Sequence, residues 1–184
     1  MNFPFNLPKA IQSAGLLLSE FDGHCMEHIR LLKLLYIAER KSVEETAMPM
    51  IGSQLVAMRN GPLHSQVYDL IKDQTPDAPK WRKYFQQQGR HIHRVKDPGV
   101  GSLSRRDVRI LKEVLNEFRD IDTWEIVELT HDFEEWQQAF NRIPDSSSTP
   151  ITPCDLFKAL GLSKDELLAY EDQARELGHF LQAS

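Results

Sequence analysis

Between Ile29 and Ala38 the chain reads IRLLKLLYIA, and no other stretch restricts its fold as strongly. At helical spacing Ile29, Leu32, Leu35 and Tyr36 mark one face, while Leu31, Leu34 and Ala38 widen the apolar stripe. Such a helix must be packed on several sides. A helix over about residues 25–40 is therefore expected at the centre of a core. The run is far shorter than the roughly 20 apolar residues that cross a bilayer, so no membrane partner is expected.

The rest of the chain supplies what would pack around it. Pro8 suits a first helical turn, and Ile11, Ala14, Leu17 and Leu18 follow until Gly23 breaks the pattern. Pro49 and Gly52 mark an irregular connection. Ser53 predicts a short helix, QLVAMRN, ended by Gly61, and Pro62 restarts the chain into a second helix, LHSQVYDLIK. RHIHRVK alternates like a strand and suggests a small hairpin. Ser104 with Asp107, Asp122 with Glu125, and Asp132 with Glu135 predict starts for three helices in RRDVRILKEVLNEF, TWEIVELTH and FEEWQQAFN. RIPDSSSTPI reads as a loop. Thr152, Pro153 and Asp155 open CDLFKALG, and Ser163 with Glu166 opens a last helix to about Leu181. The expected fold is mainly α: a compact helical single domain with a small β-hairpin insertion and a C-terminal helix, residues 1–162 forming the domain and 163–184 an extension.

The chemistry is sparse. HCMEH, residues 24–28, fits the H-x-x-E-H pattern of some zinc peptidases, but a third ligand is not identifiable, and no metal or cofactor is expected. His91 and His93 share one strand face among Arg90, Arg94 and Lys96, which repel a cation. No nucleophile elbow, P-loop or dinucleotide fingerprint occurs. Cys25 and Cys154 lie outside any C-x-x-C pair, and with no signal-like N-terminus they read as reduced thiols of a cytoplasmic protein. The net charge is −5, which disfavours nucleic acid as a general partner. Yet charge is segregated: six Lys or Arg and no acid from Lys80 to Lys96, nine acids and one Arg from Glu113 to Glu135. KWRKYFQQQGRHIHRVK interleaves Trp81, Tyr84 and Phe85 with these bases, so single-stranded nucleic acid stays a minor alternative to core packing under a basic face. The Gly61-Pro62 joint is expected to project Arg59, Asn60 and His64 toward solvent.

In their order, IRLLKLLYIAERKS, VAMRNGPLHSQVYDLIK, LSRRDVRILKEVLNEFRDIDTWEIVELTHDFEEW and PITPCDLFKALGL resemble the Panacea domains, the SocA-type antitoxin domains of bacteria and phages. Lys33-Leu34-Leu35-Tyr36, Gly61-Pro62, Val67-Tyr68, Thr130-His131 and Trp136 carry the likeness over roughly residues 8–165. The resemblance implies a helical, non-catalytic protein that neutralises a protein toxin encoded beside it. One branch of the family instead delivers its toxin to an ATP-dependent protease. On this reading Arg59, Asn60, Pro62, His64, Tyr68, His131 and Trp136 are the candidate partner-binding residues, with Tyr68 and Trp136 equally suited to the core.

Overall fold

The computed structural model describes residues 3–143 and 146–182. Helix α1 (Leu7–Ser19) starts where the Asn6 side chain accepts from the Lys9 N–H, with Pro8 in its first turn. A 3₁₀ turn follows, then strand β1 (Cys25–Glu27) and helix α2 (His28–Thr46). The long helix thus begins three residues later than expected, because Cys25, Met26 and Glu27 pair with another strand.

Strands β2 (Leu55–Met58) and β3 (Gly61–His64) come next, followed by the short helices α3 (Ser65–Ile71) and α4 (Ala78–Arg82). A hairpin of β4 (Phe85–Gln88) and β5 (His91–Arg94) leads to α5 (Arg105–Phe118), α6 (Thr123–His131) and α7 (Glu134–Arg142). Strand β6 (Thr149–Ile151), α8 (Pro153–Ala159) and α9 (Lys164–Gln182) complete the described chain.

These elements correct the expected fold class. Among the described residues helices hold 59%, but six strands form two three-stranded antiparallel sheets, ordered β1-β5-β4 and β3-β2-β6. The molecule is mixed α and β, though mainly helical. QLVAMRN is not a helix: Leu55–Met58 is the central strand of the second sheet, and part of the expected loop RIPDSSSTPI supplies its third strand. Each sheet takes in a segment distant in sequence, β1 in the first and β6 in the second, so local periodicity shows only the strand His91–Arg94 of the expected hairpin.

Helix α2 runs through the middle. Leu31, Leu34, Leu35 and Tyr36 are fully buried, Leu32 and Ala38 nearly so, and Ile29 partly. Arg30 turns inward beside them and donates to the carbonyls of Phe118, Arg119 and Ile121 at 2.6–3.0 Å. A cation there satisfies orphan carbonyls at the end of α5 and meets the negative end of its dipole. The other end of α5 carries the expected capping box of Ser104 and Asp107, and Lys9 of α1 pairs with Asp107 at 2.8 Å. Capping boxes also open α8 and, through Ser163 and Glu166, the last helix.

The hairpin tail of the first sheet leaves His91, His93 and Cys25 on its outer face, with Met26, Ile92 and Phe85 facing the core. The last helix is tied in: Tyr170 and Ala174 pack into a second apolar cluster with Phe3, Tyr36 and Phe157. Among the described residues no helix is long and apolar enough to cross a membrane.

Candidate functional site

Strands β2 and β3 form a hairpin whose tip is Arg59 and Asn60, both exposed. Gly61 follows with φ +89°, while the two tip residues stay out of the positive-φ region. A type I turn closed by a glycine at positive φ has this signature. Asn-Gly between two apolar runs was therefore the local signal for a hairpin rather than for the end of a helix.

The tip is held from below. Lys33 is 1% exposed, and its ammonium donates to the Pro62 carbonyl at 2.7 Å. Burial lowers its pKa from the ordinary lysine value to about 7, since a charge taken out of water loses more hydration than one carbonyl returns. Gly61 lies so close that a Cβ would stand 2.5 Å from Thr130 Oγ1 and 3.1 Å from Lys33 Nζ. Lys33, Gly61, Pro62 and Thr130 thus form one contact, although they come from three separate stretches of sequence.

The tip is also held from the side. Trp136 Nε1 donates to the Met58 carbonyl at 3.0 Å, one residue before the turn. The Trp136 ring lies between His131, with centroids 4.4 Å apart and planes at 20°, and Phe140, at 4.8 Å and 15°. All three rings are half-buried, so the stack is both support and surface. Behind it, Glu135 is fully buried and accepts from Tyr36 Oη at 3.0 Å and Arg40 Nε at 2.9 Å. This carboxylate does not serve as the expected helix cap: α7 starts after Phe133 with no side-chain cap. Burial and Glu135 together raise the Tyr36 pKa well above the usual phenol range.

The candidate residues therefore separate. Arg59, Asn60, His131 and Trp136 gather on one surface. Pro62 is buried under them. His64 does not reach solvent as expected: it is 0% exposed, and Nε2 lies 3.3 Å from the Leu35 carbonyl. β3 is buried on both faces, so neither register exposes this residue, and burial lowers its pKa. Tyr68 is half-buried on α3, packed on the main core beneath the Lys72 ammonium. Lys33, Thr130, Glu135 and Phe140 were not among the candidates. A single lysine inside an otherwise apolar run was the one hint for Lys33.

Metal-binding geometry is missing from HCMEH, because the strand breaks the helical spacing. His24 Nδ1 meets the Ser19 carbonyl at 3.1 Å and His28 Nδ1 the Arg90 carbonyl at 2.9 Å. Among the described residues no three His, Cys, Asp or Glu side chains are grouped to hold a metal ion. In KWRKYF, Trp81 and Phe85 are buried against each other, while Lys80, Arg82 and Lys83 face solvent.

The sequence model of one protein family, described as antitoxin SocA-like, Panacea domain, matches residues 31–137, more than half of the chain. The match runs from α2 through Trp136 and so contains the hairpin, Thr130 and His131. The segment PITPCDLFKALGL lies beyond it. No curated protein and no solved structure matches the chain.

Proposed function

The chain belongs to the SocA-like antitoxin family, and from that premise we propose that it neutralises a protein toxin by direct, stoichiometric binding, without a catalytic step. On this reading it acts in the cytoplasm, and its toxin is encoded by an adjacent gene. The observation that carries the reading is the exposed Arg59-Asn60 tip, clamped by Lys33 below and by Trp136 at its side. Binding hot spots favour Arg and aromatic side chains that are already ordered, because little conformational entropy is lost on contact. Here the turn backbone on either side of Arg59 is held, and the rings of His131, Trp136 and Phe140 are stacked in place.

The adaptor alternative draws on α9, which exposes Leu168, Leu177 and Phe180 and could offer a protease a second surface. Deleting the helix is a poor test, since Tyr170 and Ala174 belong to the second apolar cluster. Substitutions at Leu168 are the cleaner probe.

The experiment is growth rescue. The open reading frame beside this gene is expressed under tight control, with and without the 184-residue protein. Arrest relieved by co-expression, with a complex that co-purifies, supports neutralisation. Relief accompanied by protease-dependent loss of the toxin supports the adaptor. A harmless neighbour, or arrest that persists, overturns both.

A further inference from the structure

The sheet β1-β5-β4 ends on β4, Phe85–Gln88, whose sequence is Phe-Gln-Gln-Gln. Val95 N–H donates to the Tyr84 carbonyl at 2.8 Å. Alternation along an antiparallel pair then directs Gln86 and Gln88 toward β5, and the backbone groups of Phe85 and Gln87 outward. Edge strands are ordinarily blunted by charge, proline or a bulge. The second sheet follows that rule, with Pro62 in β3 and Pro150 in β6 at its two rims. β4 carries neither a charge nor a proline.

Next to this rim lies a cavity of about 420 Å³ between the sheet and helices α3 and α4. Its walls include Leu70, Trp81, Phe85 and Ile92, and Val95 stands 56% exposed at its mouth. Lys83 and Arg90 are exposed at the two ends of β4 and form no ion pair among the described residues, whereas Arg82 is paired with Asp73. No acidic residue occurs between Lys80 and Lys96.

We propose that the β4 rim is a strand-addition site for an extended segment of a partner protein, one that places an apolar side chain in the cavity and acidic residues beside Lys83 and Arg90. Main-chain bonds to an open edge supply affinity, and the pocket and flanking charges supply selectivity. The site is separate from the Arg59 tip and does not depend on the toxin-binding reading.

The test uses the full chain and a fluorescein-labelled peptide, Asp-Glu-Val-Leu-Val-Glu-Asp, followed by anisotropy up to roughly 1 mM. Saturable binding is expected, at least about tenfold weaker for the peptide N-methylated at alternate amides and for its Lys-flanked counterpart. Gln87→Pro removes an outward N–H without breaking the β4–β5 ladder and should weaken binding to the same degree, with the far-UV spectrum unchanged. Val95→Asp, at the cavity mouth, is the second variant should the proline disturb folding. Arg59→Glu should bind the peptide like the unaltered protein. No binding, equal binding of the N-methylated or Lys-flanked peptide, or loss of binding in Arg59→Glu overturns the proposal. So does a dimer of the chain that Gln87→Pro dissolves while the peptide stays unbound, since the rim would then belong to a second copy.

Discussion

Lys33 in the second turn of α2 and Pro62 in the second strand of the hairpin are joined by a 2.7 Å hydrogen bond from a buried ammonium to a backbone carbonyl. That bond ties the central helix to the strand beneath the exposed tip. An isolated buried cation is costly, and among the described residues no carboxylate pairs with this one.

The first prediction is a pH dependence. The folded-state pKa of Lys33 is lowered to about 7 from 10.5. Between those values the unfolded chain binds more protons than the folded one, so this group's contribution makes stability rise with pH across the window. It is level below about 7, where both states carry the proton, and the cost is gone above the unfolded value. Urea unfolding of the protein and of Lys33→Met from pH 6.5 to 10 checks this. The difference between them should move in the protein's favour with rising pH, by at most about 1.4 kcal/mol per unit. A level difference would refute the assignment.

Gly61→Ala should destabilise by about 2 kcal/mol or more, because φ +89° strains any residue with a Cβ and Thr130 Oγ1 occupies the space. Thr130→Ala in the same chain should recover part of the loss, since it removes the clash but not the strain. Denaturant midpoints of the two variants decide the matter.

Glu39 is buried and accepts from the N–H groups of Met50, Ile51 and Gly52 at 2.8–3.0 Å. Glu39→Ala should cost about 3 kcal/mol or more by leaving three buried donors unpaired, and Glu39→Gln less, since its carbonyl still accepts. A loss under about 1 kcal/mol for Glu39→Ala would mean that the turn finds other acceptors.

Trp136→Phe keeps a ring in the stack but leaves the Met58 carbonyl without its donor, and should cost about 1–2 kcal/mol. Trp136→Ala also opens the space between His131 and Phe140 and should cost about 3 kcal/mol or more. Equal losses for the two would show that the hydrogen bond, not the packing, matters most.

Arg59→Glu should weaken toxin binding at least about tenfold, or 1.4 kcal/mol, with the thermal midpoint within about 2 °C, as expected for an exposed side chain. Isothermal calorimetry of the complex beside a melting curve of the free protein reads both. Unfolding, or an unaltered complex, would remove Arg59 from the binding surface.

Sequence alone determined the parts of this protein that depend on neighbours a few residues apart. The apolar run around Leu34 required a central helix. Ser104 with Asp107 and Thr152 with Asp155 fixed helix starts, because a cap bonds to an N–H three residues on. The motif order was enough to suggest the family. Only the tertiary structure decided which strands exist and which polar groups are interior. Leu55–Met58 has the apolar content of either a helix or a strand, and its pairing with both Gly61–His64 and the distant Thr149–Ile151 makes it a strand. Likewise nothing local marks His64 or Glu135 as buried, and for Lys33 there is only the apolar run around it. Their partners, Pro62, Leu35 and Tyr36, lie 29, 29 and 99 residues away in sequence. A side chain's burial is set by what the fold packs against it, and local spacing carries no record of that.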